Sequence, residues 1–298
     1  MENEFQTIVR DGVEVSAQLQ ELWAVELELF EQFKAVCEKH SLKYFASGGT
    51  LLGAVRHKGF IPWDDDIDVM MLREDYDKLL SVANNEFSEP YFFQTAYTDK
   101  NYYRGHAQLR KSTTTAALGC EALRVPFNQG IFIDIFPVDA IPDDPKLREK
   151  QRRALHSINR LLNNGARFPE AQGNSLSDKI KRLAVSIISV FYSHKKQYAK
   201  MERLCKMYNG QQTKMVGFIS FDPNDDRLKY RRCIYDAAIQ LPFEHTTISA
   251  PSGFDEMLRV QFDDYMVMKR VESYHGSMLV DTKTPYKDYI KNLKTEQK

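Results

Sequence analysis

Hydrophobic positions recur at helical spacing over residues 15–40, near the start of the chain. Apolar side chains return there every three or four residues, which places them on one face of a helix. The pattern predicts an amphipathic helix that packs this face on a core. The residues on the predicted face are Leu22, Val25, Leu29, Phe33 and Val36.

Short apolar runs alternate with helical patterns from this helix to about residue 145. Such interleaving predicts an α+β fold, in which helices flank a mixed sheet. The helix candidates are Thr50–Val55 and Glu74–Ala83. The strand candidates are Lys43–Phe45, Ile67–Leu72, Tyr91–Thr95, His106–Arg110 and Gly130–Phe136.

The pattern changes at about residue 145, which suggests a division of the chain. Residues 1–145 are expected to form the catalytic core, and residues 146–210 a helical segment rich in Lys, Arg, Leu and Ile. A polar break at 209–212 precedes the last segment, 211–298, which begins with a strand candidate at Met215–Ser220. We expect this segment to pack on the core, so that the chain forms one continuous domain.

The charge composition argues against a nucleic-acid partner. Forty-one basic residues balance forty-one acidic ones, so the chain has no overall field that would capture nucleic acid. The four cysteines are scattered and form no CxxC motif, which is typical of buried free thiols in a reducing compartment. They are Cys37, Cys120, Cys205 and Cys233.

The hydropathy pattern predicts a cytoplasmic protein. The start of the chain lacks the apolar region of a signal peptide, and no run of 18 apolar residues occurs. Ile180–Tyr192 is apolar between basic residues and is too short to span a bilayer. A buried helix is the favoured interpretation, and peripheral contact with the inner face of the membrane is the alternative if the substrate is lipid-linked.

An acidic run at residues 64–68 carries the first chemical signal. In an extended strand Asp64, Asp66 and Asp68 would project from one face. Like charges on one face repel unless a cation lies between them, and oxygen ligands favour Mg²⁺ or Mn²⁺ over zinc. A solvated acidic loop is the alternative, but the neighbouring apolar residues favour a metal site.

A second carboxylate stands alone in the apolar run Gly130–Pro137. A buried lone Asp134 is costly unless it is paired or bound to a metal. It is therefore a candidate third ligand beside Asp66 and Asp68, and a structural aspartate before Pro137 is the alternative. Asp139, after this proline, is expected in a loop.

A glycine turn precedes the acidic run. In Ser47, Gly48 and Gly49 the glycines allow the backbone to approach a phosphate, with amide donors at the start of the next helix. Alone this is a weak signal, but it lies seventeen residues before Asp66.

These motifs together resemble the LicD family, which also includes the fukutin-type enzymes. The stretch Phe45–Val69 resembles the family signature almost throughout. The block Gly130–Pro137 is also similar, as are Leu241–Glu244 and Ala250–Leu258 near the C-terminus. The resemblance extends over roughly residues 20–290 but is dense only in these blocks.

The resemblance implies a nucleotidyltransferase-type fold and the transfer of a substituted phosphate. Asp66 and Asp68 match the metal-binding pair of the family, and Asp134 matches its third carboxylate. Gly48 and Gly49 match its glycine turn. The implied catalytic set is therefore Asp66, Asp68 and Asp134. The position of Asp64 on the same predicted strand face adds it as a further metal ligand, and the oxygen-only set favours Mg²⁺ or Mn²⁺ as cofactor.

The resemblance also indicates the partners. Bacterial members are associated with the transfer of phosphocholine from CDP-choline to a cell-surface glycan, and fukutin-type members use CDP-ribitol. A CDP-linked donor and a glycan or glycolipid acceptor are therefore expected. A nucleotidyltransferase that moves a nucleoside monophosphate and a non-catalytic binding protein with the same fold remain as alternatives.

Two arginines are candidates for the donor phosphate. Arg56 lies just before the acidic run and Arg110 ends a predicted strand, so both adjoin predicted active-site strands. A guanidinium offers two parallel donors to a phosphate. Each is also compatible with a solvated surface charge.

Overall fold

The computed structural model describes residues 5–119, 121–166, 193–270 and 278–296, with the side chains of 163–166 and 296 excepted. The expectations for Cys120 and for the apolar segment Ile180–Tyr192 lie outside these residues. Seven α-helices occur in the described part: α1 Ala17–Lys39, α2 Gly48–Arg56, α3 Arg73–Glu86, α4 Pro145–Ala166, α5 His194–Lys206, α6 Phe254–Phe262 and α7 Tyr286–Glu296.

Strands alternate with these helices, and the predicted α+β fold is confirmed. The strands are β1 Ile8–Arg10, β2 Val13–Val15, β3 Phe45–Ala46, β4 Asp68–Leu72, β5 Tyr91–Gln94, β6 Ala107–Lys111, β7 Thr115–Leu118, β8 Ile131–Ile141, β9 Met215–Gly217, β10 Lys229–Arg231, β11 Ala238–Phe243, β12 Thr246–Pro251 and β13 Met278–Asp281.

Strand β8 is the centre of a seven-stranded mixed sheet. It pairs in parallel with β4 and antiparallel with β6 and β9. All eleven of its residues are buried, which explains why its sequence is an almost continuous apolar run. Its two carboxylates, Asp134 and Asp139, therefore both lie in the interior.

The expected loop position of Asp139 is wrong, because β8 continues through Pro137 to Ile141. Asp139 is fully buried and accepts hydrogen bonds from Arg73, at 2.8 Å from Nε and 2.6 Å from Nη2. Asn209 Nδ2 donates to the same carboxylate at 2.8 Å. A planar guanidinium that binds both oxygens is the geometry in which a buried carboxylate is best compensated.

Helix α1 matches the amphipathic segment expected from the sequence. It begins after Ser16, whose hydroxyl accepts from the amide of Leu19 at 3.2 Å and caps the first turn. One face is buried on the sheet, with Leu29 and Phe33 fully covered. The same helix also reaches the acidic run, as described below.

The C-terminal segment contributes to the same sheet. Strand β9 pairs with the end of β8, and β10 adds to its other side. Strand β13 pairs with β7, and β11 and β12 form a hairpin that contacts β3 and α2. Short strands with many polar or aromatic positions give little periodicity, which is why most of these were not predicted. The division at residues 145 and 210 stays a prediction.

Candidate active site

Two carboxylates meet across the centre of the sheet. Asp68 is the first residue of β4 and Asp134 is the fourth residue of β8, and the parallel register pairs them directly. The backbone amide of Asp134 also donates to the carbonyl oxygen of Ile67 at 2.9 Å. The sheet therefore fixes both backbones before either side chain contributes.

A third carboxylate completes a cluster at this point. Asp66, Asp68 and Asp134 each offer an oxygen, and these oxygens all lie within 4.8 Å of one another. Ligands of an octahedral Mg²⁺ stand at most about 4.2 Å apart, so a small closing movement would suffice to bind a cation. An all-oxygen set of this kind fits Mg²⁺ or Mn²⁺.

The residues before β4 differ from the expected strand. Residues 64–67 have no strand pairing, and Asp64, Asp65 and Asp66 form a second group of oxygens within 4.8 Å of one another. Asp66 thus belongs to both groups, whereas strand alternation had placed Asp64 beside Asp68. The indole Nε1 of Trp23 donates to the carbonyl oxygen of Asp64 at 2.8 Å and ties this loop to α1.

The glycine turn lies against the carboxylates. Gly48 has a φ of +50°, and a Cβ added there would lie 3.0 Å from Oδ2 of Asp68. A Cβ on Gly49 would lie 2.3 Å from Oδ2 of Asp64. Ser47 is buried and its amide donates to the carbonyl oxygen of Asp68 at 3.0 Å. The absence of side chains at 48 and 49 is what lets the start of α2 contact the acidic loop.

The electrostatics of the cluster favour a cation. The pKa of Asp68 is raised well above its ordinary value, first by burial and then by the charges of Asp66 and Asp134. Several carboxylates in one poorly hydrated place cannot all ionise without a counter-charge. A divalent cation would supply this charge and lower the pKa values of its ligands.

A further acid, Glu26 on α1, faces this cluster and was not predicted. It is 1% exposed, and burial followed by the charges of Asp66 and Asp65 raises its pKa well above the usual range. Its Oε2 has no hydrogen-bond partner among the described residues. Its spacing, four residues after Leu22 and three before Leu29, places it on the predicted apolar face, and a charged residue on that face is the signal that could have revealed it.

Two further residues contact Asp134 from the side of β6. Gln108 Nε2 donates to its Oδ1 at 2.6 Å, and His106 Nε2 lies 3.1 Å from the same oxygen. Both side chains are buried, and the His106 ring packs on Phe136 with ring centroids 4.4 Å apart. No ligand spacing in the sequence pointed to either residue.

The structure does not bring Arg56 to the carboxylates. It ends α2, about 12 Å along the helix from Gly48 at 1.5 Å per residue. Its Nη1 donates to the carbonyl oxygen of Tyr265 at 2.9 Å, and its Nε donates to His57 at 2.8 Å. Burial lowers its pKa, and the carboxylate that acts on it is that of Asp11. A phosphate contact by Arg56 stays a prediction, and none of these bonds joins it to the carboxylates.

Arg110, the second arginine predicted to contact phosphate, lies in the interior, and that role stays a prediction. Its side chain is 2% exposed, and it donates to the carbonyl oxygen of Gly130 and to Oε1 of Gln108, both at 2.6 Å. Nε donates to Gln94 at 2.5 Å, and the guanidinium lies 4.5 Å from the centre of the Phe132 ring. A strand position was predicted correctly, but alternation directs this side chain into the interior.

Comparison with known proteins identifies the family. The protein-family model described as "LicD/FKTN/FKRP, nucleotidyltransferase domain" matches residues 41–159 of this chain. The lipopolysaccharide cholinephosphotransferase LicD of Haemophilus influenzae is 30% identical over 253 residues, which cover 83% of this chain and 91% of that protein. The chain belongs to the LicD family. It is a LicD-type phosphotransferase.

Shorter matches fall on two rickettsial proteins of uncharacterised function. One from Rickettsia prowazekii is 38% identical over 89 residues, which is 29% of this chain and 31% of that protein. One from Rickettsia typhi is 48% identical over 52 residues, which is 16% of this chain and 17% of that protein.

The matched LicD domain contains the four aspartates of the site but not Glu26, which precedes it. Helix α1, which carries Glu26 beside the acidic cluster, therefore lies outside the matched domain. Within the described ranges, no helix combines the length and the apolar character that a membrane crossing requires.

Proposed function

We propose that this LicD-family enzyme transfers phosphocholine from CDP-choline to a hydroxyl of a cell-surface glycan or its lipid-linked precursor. The observation that carries the proposal is the cluster of Asp66, Asp68 and Asp134 beside the glycine turn. The similarity to a protein named as a lipopolysaccharide cholinephosphotransferase supports choline as the head group. CDP-ribitol is the other donor to test.

The proposal includes Mg²⁺ or Mn²⁺ held by Asp66, Asp68 and Asp134, with Asp64 at the neighbouring group of oxygens. When bound, such a cation neutralises phosphate oxygens and supports an in-line displacement. The raised pKa of Asp68 and the oxygen-only donor set support this assignment.

The transfer itself needs one bond made and one broken. A hydroxyl oxygen of the acceptor attacks the phosphorus that carries choline, the bond from this phosphorus to the CMP oxygen breaks, and CMP leaves. The hydroxyl proton passes to a carboxylate of the cluster, for which we propose Asp134. Gln108 holds one oxygen of Asp134 by a hydrogen bond, and His106 Nε2 lies 3.1 Å from the same oxygen, so the directions in which Asp134 can accept a proton are limited.

The glycine turn is the proposed contact for the donor phosphates. Gly48 and Gly49 begin α2 directly after Ser47, and the amide groups and dipole at the start of a helix favour an anion. The turn lies against Asp64 and Asp68, so a phosphate there would also be next to the cation. Arg56 and Arg110 have no part in this proposal.

The test is release of CMP from CDP-choline by the purified protein with Mg²⁺ or Mn²⁺, with and without acceptor glycans. We expect Asp66→Asn to lower the rate more than about 100-fold, since loss of an outer partner of a ligand already costs 10- to 100-fold. Asp226→Asn, at a side chain that is 91% exposed, is the matched control. Equal turnover in Asp66→Asn and wild type would contradict the proposal.

The description of the matched domain favours one alternative, the transfer of a nucleoside monophosphate. The same carboxylates would serve, and the product separates the two reactions. Pyrophosphate from a nucleoside triphosphate would support the alternative, whereas CMP from CDP-choline supports phosphocholine transfer.

A further inference from the structure

Four polar residues form a row across the sheet. Gln94 of β5 is the register partner of Gln108 of β6, and Gln108 is the partner of Asp134 of β8. Asp134 is in turn the partner of Asp68 of β4. The two glutamines are 0% and 1% exposed. An amide in such a position is costly unless both its ends are bonded, so the row needs a defined hydrogen-bond pattern.

Arg110 decides the direction of this pattern. A guanidinium only donates and an ionised carboxylate only accepts. The Gln108 amide lies between them, with Oε1 at 2.6 Å from Nη2 of Arg110 and Nε2 at 2.6 Å from Oδ1 of Asp134. Both neighbours therefore demand the same orientation, in which the amide donates to the aspartate.

We propose that Arg110 and Gln108 are positioning residues for Asp134: Arg110 fixes the Gln108 amide, and the amide fixes the Asp134 carboxylate. The inference rests on the proposed function, in which Asp134 is a metal ligand. Because a carboxylate is planar, a hydrogen bond that fixes one of its oxygens also orients the other oxygen. Outer partners of this kind orient metal ligands and tune their affinity.

The cost of burying Arg110 supports a role for its charge. A fully buried guanidinium is expensive, and burial lowers the pKa of Arg110 to about 10. Its hydrogen bonds go to the neutral oxygens of Gln94, Gln108 and Gly130. The carboxylates of Asp134 and Glu121 act on it through space. A cation in this position stabilises the charge on Asp134 without occupying the place of a metal.

The experiment measures the affinity for Mn²⁺ by titration calorimetry, with Gln108→Met, Arg110→Met and the double variant. We expect Gln108→Met to raise the dissociation constant about tenfold, as is usual for loss of an outer partner. Because Arg110 acts through Gln108, the double variant is expected to equal Gln108→Met rather than to add a second loss. A residue that only supported packing would give additive effects.

The control is Gln94→Met, which removes a buried amide of the same size from the adjacent strand. Gln94 bonds Arg110, Asp99 and the backbone of Asn128. We expect this variant to bind Mn²⁺ with an affinity within about twofold of wild type, since Arg110 keeps Gln108 and Gly130 as partners. Thermal unfolding of each variant monitors the fold.

If Arg110→Met does not fold, Gln108→Glu decides the question. This variant keeps a partner for Arg110 and turns a second carboxylate oxygen toward Asp134, so weaker Mn²⁺ binding is expected with the fold retained. If Gln108→Met or Gln108→Glu bound Mn²⁺ as tightly as wild type, the positioning role of Arg110 and Gln108 would be overturned and the proposed function would stand. A wild-type protein that binds no Mn²⁺ would overturn the proposed function with it.

Discussion

Asp68 and Asp134 occupy paired positions on the parallel strands β4 and β8. Backbone pairing thus brings two carboxylates together that lie 66 residues apart in the sequence. Like charges in paired positions destabilise a sheet. The repulsion between these two carboxylates would be compensated by a cation bound between them. Local destabilisation of this kind is typical of a functional site.

Replacing one of the paired carboxylates should separate stability from metal binding. We expect Asp68→Asn to make the metal-free protein more stable, because it removes a charge from a buried site where burial and Asp66 and Asp134 oppose ionisation. The same change should abolish stabilisation by Mg²⁺ or Mn²⁺, which for wild type is about 2.7 kcal/mol at a concentration 100 times the dissociation constant.

Thermal unfolding in EDTA and in each metal measures both effects. Asp226→Asn, on the exposed surface, should respond to metal as wild type does. A variant that kept the full metal response would show that Asp68 is not a ligand.

Glu26 should make the metal-free protein less stable as the pH rises. Its pKa in the folded state is raised above the value of 4.5 that an unperturbed glutamate has. Folding therefore takes up a proton at this site, and the stability that the protonated form contributes is lost as the pH rises through the raised pKa. Glu26→Gln removes this titration while keeping the shape.

We expect Glu26→Gln in EDTA to exceed wild type in free energy of unfolding by more at pH 8 than at pH 5. Urea unfolding at the two pH values is the measurement. Since metal would favour ionised neighbours, EDTA must be present throughout. A difference between variant and wild type that did not change with pH would show that Glu26 does not titrate in this range.

The close contact at Gly49 should make even a methyl group harmful. A Cβ at this position would lie 2.3 Å from Oδ2 of Asp64, so the carboxylate or the turn must move. Displacements of about 1 Å can cost about 100-fold in rate, and we expect Gly49→Ala to lower CMP release by 10- to 100-fold.

Gly210→Ala is the matched control, because nothing lies within 4 Å of a Cβ there. It should leave the rate of CMP release unchanged. Alanine normally improves helix stability relative to glycine, so a loss at Gly49 would not come from helix propensity. Equal rates for the two variants would show that the turn tolerates the displacement.

The buried pair of Arg73 and Asp139 should contribute to stability rather than to chemistry. Removal of one partner leaves an uncompensated charge, so we expect Arg73→Met to lower the free energy of unfolding by about 3–5 kcal/mol. Arg153, whose side chain is 75% exposed in its pair with Glu149, is the control. Arg153→Met should cost no more than about 0.5 kcal/mol, and chemical denaturation compares the two.

The elements with strong periodicity were predictable from the sequence. Helix α1 lies within two residues of the expected segment, and β4, β5, β6 and β8 each overlap a predicted strand. Asp139 was misplaced because a proline usually ends a central strand. Pro137 instead stays in β8, opposite Met71 of β4.

Local pattern could not reveal the residues that surround the carboxylates. The helical spacing of Glu26 could not show which groups it meets. Trp23 stacks on Phe60, with ring centroids 4.8 Å apart, and donates to the carbonyl oxygen of Asp64, and these contacts hold the acidic loop against α1. Arg110 was assigned to phosphate by its charge, whereas strand alternation buries it beside Gln108.

Residue type, spacing and periodicity along the chain were enough to predict the family and the α+β class, both of which are confirmed, and to propose the aspartates of the site. The polar groups that share an environment are brought together by contacts between distant segments, which the three-dimensional structure shows. Strand register placed Gln108, Asp134 and Asp68 in one row, and burial changed what their charges can do. Register and burial arise from contacts between distant segments, and no local pattern contains them.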